Sequence, residues 1–404
     1  MIKSLCLSAG LAVSLGCMAG SAEAQYKGGS IKLGVLNDMS GVYADIAGPG
    51  SVWAAKKAVE DFGAAAKGMK VEVVGADHQN KPDVGKTIAS KWLDEEKVDV
   101  ILDVPTSSVG LAVNEVVREK NKVYLNTGSA TSDLTGKACS PNTIHWIYDT
   151  WMLANGTGKA IVKRGGDSWF FITADYAFGH ALERDTEAVV LANGGKVLGK
   201  VKAPFPTSDF SSFMLQAQQS KAKIIGLANA GGDTINAIKT AGEFGIVQAG
   251  QNLAGLLVFI TDIHSLGLKT SQGLIFTAPW YWDLNDNSRA WAKEFNEANK
   301  HYPSYTVAGV YSSVIHYLKA IEALGSHADG KAVIAKMKEL PTEDKLLGKG
   351  TIRADGRKIH DVYLVEVKKP EESKYPWDYY KTLATIPAEK AFRPMADGGC
   401  PLVK

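Results

Sequence analysis

VDVILDVPTSSVGLAVNEVVREKNKVYLN, Val98 to Asn126, reads as one strand–helix–strand unit. Val98 to Val104 is apolar on both faces, as a strand covered from both sides must be. It empties into Pro105-Thr106-Ser107-Ser108, whose hydroxyls suit the start of a helix. Val113, Val116 and Val117 then recur at helical spacing. Lys122 to Asn126 is the next strand. Upstream the same alternation holds: strand Ile31–Leu36, a long Gly-rich loop, helix Ser51–Phe62 with Val52, Ala55, Val59 and Phe62 on one face, strand Lys70–Gly75, helix Pro82–Glu95. Strict β-α-β-α order with apolar strands predicts a parallel sheet covered by helices.

Downstream, LNTGSATSDLTGKACSPNTIHW (Leu125–Trp146) opens a loop dense in small hydroxyls: Thr127, Ser129, Thr131 and Ser132 around Gly128. Hydroxyls and free backbone N–H groups at a strand's C-terminal end suit capture of a small anion. An ordinary polar βα loop is the other reading. The pattern then restarts. Thr143–Tyr148 reads as a crossing strand and Thr150–Arg164 as a helix. Asp167–Ala174 is a strand followed by a turn with Tyr176 and Phe178, then a helix over Ala181–Ala192. Strand Lys196–Lys202 leads to a helix that Ser208 or Asp209 can cap. Strand Lys223–Ala228 ends in Asn229-Ala230-Gly231-Gly232-Asp233, and Leu253–Ile260 is one more strand, ending in Thr261-Asp262. Gly273–Trp282 reads as a return crossing, with helices near Arg289–Lys300, Thr306–Leu324 and Lys331–Leu340. Thr351–Ala354 and Asp361–Val367 read as a hairpin around Asp355-Gly356. No low-complexity linker separates the halves. The expected fold is α/β: two Rossmann-like lobes with parallel sheets and several crossings between them. A cleft between the strand ends of both lobes is the expected ligand site.

The 404-residue chain carries a formal net charge of +2, so no basic field argues for nucleic acid. Lys3, the apolar run Leu5–Ala19 and Ala22-Glu23-Ala24 before Gln25 read as a cleaved signal peptide over residues 1–24. Lipoprotein processing at Cys17 is the rival, but Ser14-Leu15-Gly16 fits it poorly. The expected mature protein is soluble and exported to the periplasm. Of four cysteines, Cys6 and Cys17 leave with the leader. Cys139 and Cys400, in an oxidising compartment, are expected to pair.

Catalytic signatures are missing. The eight histidines show no H-x-H, H-E-x-x-H or Cys/His metal spacing. There is no G-x-S-x-G elbow and no Walker loop. Asp94, Glu95 and Glu96 read as a solvated helix end. The expectation is a binder with no catalytic residue, metal or cofactor.

The chain resembles the type I periplasmic binding proteins of ABC transporters, in the branched-chain amino acid (Leu/Ile/Val-binding) family. IKLGVLNDMSG, PTSS, NTGSATSDLT, ITADYAFG and GTIRADG carry the likeness, over roughly Ile31 to Val367. The resemblance implies a three-crossover hinge, with residues 25–147 and 276–348 in one lobe and 148–275 and 349–404 in the other, the tail returning to the first. It also implies a monomer that closes on a small solute and presents it to a permease in the inner membrane. By position, Ser107 or Ser108 with Ser129, Ala130 and Thr131 would hold a ligand carboxylate, and Tyr176 would pack on the ligand. Thr261 stands where an acidic partner for an ammonium is usual, with Asp262 one step on. That departure puts an α-amino group in doubt. Tyr43, Phe178, Asn229 and Trp280 complete the expected set, with Tyr281 and Trp282 as further aromatic candidates. An aromatic or aliphatic carboxylic acid, or a branched-chain amino acid, is the expected ligand. A periplasmic ligand-sensing subunit of the same fold is the alternative, and a secreted hydrolase would need a Ser–His pair that is not visible.

Overall fold

The computed structural model describes residues 26–403, so the expected leader lies outside the described residues. Five strands form the first sheet: β1 (Ser30–Asn37), β2 (Lys70–Asp77), β3 (Val100–Asp103), β4 (Val123–Asn126) and β5 (Thr143–His145), in order β2-β1-β3-β4-β5 and all parallel. β3 and β4 are buried along their whole length, which explains their unbroken apolar runs. β2, at the edge, is only partly covered. α1 (Gly48–Phe62), α2 (Pro82–Asp94) and α3 (Ser107–Glu119) connect these strands. α1 buries Ser51, Ala54, Ala55 and Ala58, while Val52, Val59 and Phe62 are only partly covered. Small residues on that face let a long partner helix, Tyr305–Leu324, approach closely.

After β5 the chain enters the second lobe through α4 (Thr150–Leu153), a π turn at Ala154–Gly158 and α5 (Lys159–Lys163). Its sheet holds β6 (Ser168–Ala174), β7 (Lys196–Ala203), β8 (Ile224–Ala228) and β9 (Asn252–Gly255), parallel, in order β7-β6-β8-β9. α6 (Ala177–Ala192), α7 (Ser211–Gln219) and α8 (Gly232–Glu243) cover it. The residue N-terminal to α7 is Phe210, and Asp209 instead accepts from the Ser211 amide (2.9 Å). The strand expected over Leu253–Ile260 is shorter. Phe259 is the N-cap of α9 (Ile260–Leu266), and the Asp262 carboxylate accepts from the Phe259 amide at 2.9 Å. α10 (Leu268–Ser271) follows.

The stretch expected as a plain return crossing begins with a strand, β10 (Ile275–Ala278). The first lobe is then completed by α11 (Asp286–Asn299), α12 (Tyr305–Leu324) and α13 (Gly330–Glu339). α12 is buried on all sides from Tyr305 to Leu318, between α1 and α13, so it is apolar all round. β11 (Thr342–Asp344), β12 (Gly348–Ile352) and β13 (Lys358–Ile359) form a small antiparallel sheet against α12 and α13. The hairpin around Asp355-Gly356 therefore returns on β13. β14 (Val362–Val367) pairs instead with β10 and with β15 (Tyr380–Ile386), both antiparallel, beside β9. The sheets thus change after β5, after β10 and after β13. Beyond β15, α14 (Ala388–Ala391) leads back to the first lobe, where Cys139 and Cys400 form a disulfide (Cα–Cα 5.7 Å). Arg393 donates to the Ser132 carbonyl at 2.9 Å beside it.

Candidate functional site

β3 ends on two left-handed residues, Asp103 (φ +76°) and Val104 (φ +59°). A β-branched residue there is strained by about 1–3 kcal/mol. The buried Asp103 carboxylate holds the turn. It accepts from Asn37 Nδ2 (2.7 Å), Ser51 Oγ (2.5 Å) and Thr127 Oγ1 (2.8 Å), tying together β1, α1 and the loop after β4. Burial pushes this carboxyl up to about 6, against the pull of those hydrogen bonds. The two loops lie so close that a Cβ on Gly128 would sit 2.5 Å from Pro105 Cα. Ser129 Oγ closes the seam by donating to the Val104 carbonyl (2.5 Å).

That seam sets the start of α3 beside Ala130 and Thr131. Ser107 Oγ accepts from the Thr131 amide (3.2 Å), and Thr131 Oγ1 from the Asp133 amide (3.3 Å). Each hydroxyl keeps its own hydrogen to donate. The Ala130 amide has no partner among the described residues. α3 has thirteen residues and no side-chain cap, so its first N–H groups point out uncapped. Hydroxyls, an amide and a positive helix end form a place for a carboxylate.

The opposite wall comes from the second lobe. Tyr176 and Phe178 follow β6 in a tight turn that needs glycine at 179, where a Cβ would meet the Ala174 carbonyl at 2.0 Å. The Tyr176 hydroxyl lies 2.6 Å from that of Tyr43, on the first lobe. Phe205 packs against both rings, at 5.6 Å and 4.4 Å between centroids. Between the walls is a narrow cavity. Tyr148 seals its floor, donating to the Gly128 carbonyl at 2.7 Å. Burial drives the Tyr43 and Tyr148 phenols well above their usual range, so both stay neutral.

Of the residues singled out from sequence, Tyr43, Ala130, Tyr176 and Phe178 line this cavity. Ser107 and Thr131 stand on the same loops, bonded to each other. Ser108, the second residue of α3, is half-buried and outside the lining. The Ser129 hydroxyl is occupied by backbone. Asn229 accepts from Thr234 (2.7 Å) beside the lining residue Ala230, and its Nδ2 is unpartnered. Thr261 and Asp262 lie outside the lining, Asp262 bonded to the amide of the lining residue Phe259. Trp280 is core packing: its indole donates to Ser288 Oγ (2.9 Å) and meets Trp291 edge-on. Tyr281 pairs with Thr382, and Trp282 donates to the Trp377 carbonyl. None of these three lines the cavity.

Ile46, Pro105, Tyr148, Leu257, Phe259 and Thr306 line it without having been singled out. Pro105 opens the quoted PTSS motif and Ile46 sits in the Gly-rich first loop, so proximity offered a signal for both. Thr306 arrives on the first turn of α12, 176 positions from Ala130 by chain number, and no local pattern marks it. No lining residue is charged. Among the described residues no cluster of His, Cys, Asp or Glu is able to hold a metal, and no helix is long and apolar enough to cross a membrane.

The family model described as periplasmic binding protein matches residues 30–374. A crystal structure of a periplasmic binding protein from Burkholderia mallei is 53% identical, covering 93% of this chain and 99% of its own, with a TM-score of 0.90. A branched chain amino acid ABC transporter periplasmic ligand-binding protein from Burkholderia xenovorans is 39% identical, covering 93% and 100%, TM-score 0.83. A solute binding protein of an ABC transporter from R. palustris, solved in complex with benzoate, shares the fold at 22% identity, covering 89% and 97%, TM-score 0.79.

Proposed function

The chain belongs to the periplasmic binding protein family, and from that premise we propose that it captures a small carboxylic acid between its lobes and delivers it to the permease of an ABC importer. It is a solute-binding protein, not an enzyme. One observation supports the choice of ligand: the cavity has an uncharged, largely aromatic lining that reaches Ala130, next to the uncapped start of α3 and the Ser107 and Thr131 hydroxyls, which in this reading form its anion-binding end. A carboxylate fits that end and an aromatic or aliphatic body the lining. A branched-chain amino acid, the class for which the B. xenovorans protein is named, would also bring an ammonium, and no lining residue offers it a negative charge. The benzoate in the R. palustris protein is an acid of the favoured kind.

In this reading Tyr43, Ala130, Tyr176 and Phe178 contact the ligand, with Ser107 and Thr131 donating to its carboxylate. The lobes turn about the three places where the sheets change, near residues 147, 279 and 360. The protein works as a monomer in the periplasm after cleavage following Ala24, without cofactor. A thermal-shift screen of the mature chain tests the reading, because a ligand that prefers the folded state raises the melting temperature with saturation. Benzoate or a related acid should stabilise it. Stabilisation by leucine and by no simple acid would refute the choice of ligand.

A further inference from the structure

A second, larger cavity lies at the opposite edge of the second lobe's sheet. Its volume is about 580 Å³, within the range of small-molecule sites, about 300–1,000 Å³. The interlobe cavity meets this lobe at the carboxyl ends of its strands, through Ala230 after β8 and Leu257 after β9. The second cavity opens at their amino ends, where Ile224 begins β8, Leu253 is the second residue of β9 and Ile275 begins β10. The topology explains the gap. β9 hydrogen-bonds only to β8 and β10 only to β14, so these two neighbours lie side by side without a ladder between them. Gly165, Gly250 and Gly273 border the gap, and a Cβ on any of them would meet nothing within 4 Å.

The walls are aliphatic: Ile161, Ile224, Ile238, Leu253 and Leu274, with Val247 beside them. None of the lining residues is aromatic or acidic. Val247 stays 54% exposed, although Ile161, Ile224, Ile238 and Leu274 are buried. Two cations, both exposed, stand where the lining meets solvent. Lys223 is held by Asp167 at 3.0 Å. The Arg164 side chain has no hydrogen-bond or ion-pair partner among the described residues. Aliphatic walls that end on an unpaired guanidinium suit a flexible apolar chain with an anionic head.

We propose that this cavity is a second binding site, for a single-chain amphiphilic anion of the medium-chain carboxylate class, with its chain against Ile224, Ile238 and Leu253 and its head on Arg164. An aromatic acid finds no ring to stack on here, unlike the Tyr176–Phe205 wall of the interlobe cavity. Arg164 and Lys223 together disfavour a cationic head. A neutral alcohol keeps the chain contacts but loses the charge-assisted bond to the guanidinium. The proposal is independent of the carboxylate reading above, since the two cavities share no lining residue.

The test is calorimetric titration of the full mature protein with hexanoate, octanoate and octylammonium. It is run on the wild type and on Arg164→Gln and Val247→Asp. Both positions are exposed, so the melting temperature should not change. The wild type should bind one octanoate. Hexanoate should bind about fivefold more weakly or worse, because two fewer methylenes leave water. Octylammonium should be weaker than octanoate by about tenfold or more. Each variant should weaken octanoate by about fivefold or more, the first through the lost head-group bond and the second through a like charge at the wall. Absence of octanoate binding, equal octanoate affinity in all three proteins, or octylammonium binding as tightly as octanoate overturns the proposal. So does a wild-type dimer that Val247→Asp dissolves, because the surface then belongs to a second copy of the chain.

Discussion

The hydroxyls of Tyr43 and Tyr176 are 2.6 Å apart, one from each lobe, and they form a direct hydrogen bond between two residues that line the cavity. It couples closure to the ligand walls, since both rings line the cavity and both pack on Phe205.

Breaking this bond on one side leaves the other phenol buried and unpaired, which costs about 1–3 kcal/mol. Tyr43→Phe or Tyr176→Phe should therefore weaken ligand binding by about tenfold. The double variant should lose little more than either single one, because removing both partners leaves no orphan. A double-mutant cycle by calorimetry checks this. Strictly additive losses would mean that the bond does not act in the ligand-bound state.

Ser107 and Ser129 should part company. Ser107→Ala removes a hydroxyl whose hydrogen is free for the ligand and also leaves the buried Thr131 amide unpaired, so affinity should fall about tenfold beside a loss of about 1 kcal/mol of apo stability. Ser129→Ala releases the Val104 carbonyl from the strained turn and should cost about 1 kcal/mol of stability. Denaturant unfolding and ligand titration of the two variants separate these effects.

pH isolates Asp262. Its folded carboxyl, near 8, lies above the usual carboxylate range, so the folded state holds a proton that the unfolded chain has lost. Stability from this group is full below about 4 and declines as pH rises toward 8. Asp103 and Asp233, near 6, titrate mostly below pH 6.5. The buried His78, His145, His316 and His360, all lowered by burial, stay neutral in the fold and charge in the unfolded chain around 6.5, a contribution of opposite sign that the variant shares and the comparison with it cancels. Lys358, lowered to about 8 by burial, acts mainly above that value. Asp262→Asn should remove a decline in apo stability of about 1–2 kcal/mol between about pH 6.5 and 8, at most about 1.4 kcal/mol per pH unit. Parallel stability curves for wild type and variant would contradict the assignment.

The Cys139–Cys400 bond joins residues 261 positions apart and clamps the tail onto the loop that carries Ala130 and Thr131. Replacing both cysteines by serine should cost about 2–4 kcal/mol. Urea unfolding with and without reductant measures it, and equal midpoints would show that the bond adds nothing.

The alternation of strands and helices was legible because β3, β4 and β6 are buried throughout and so are written as unbroken apolar runs. The end of the Leu253–Ile260 run was not. An apolar stretch without periodicity does not say where a strand stops, and the signal was Asp262, three residues after Phe259, capping α9. Ser129 shows the limit on sites: a hydroxyl in a polar loop serves a ligand or a backbone carbonyl equally well, and only the approach of Pro105 to Gly128 decides. The aromatic run at 280–282 was ambiguous for a similar reason, since tryptophan fills a helix interface as readily as a pocket. Phe259 and Thr306 reach the cavity only because the chain changes lobes between them.

The most direct measurement is a calorimetric titration of the mature, refolded protein with benzoate, 4-hydroxybenzoate and leucine, side by side. Refolding removes any ligand carried through purification. The account predicts one-to-one binding of at least one of the two acids and none of leucine. Tight one-to-one binding of leucine, with neither acid competing, would contradict it.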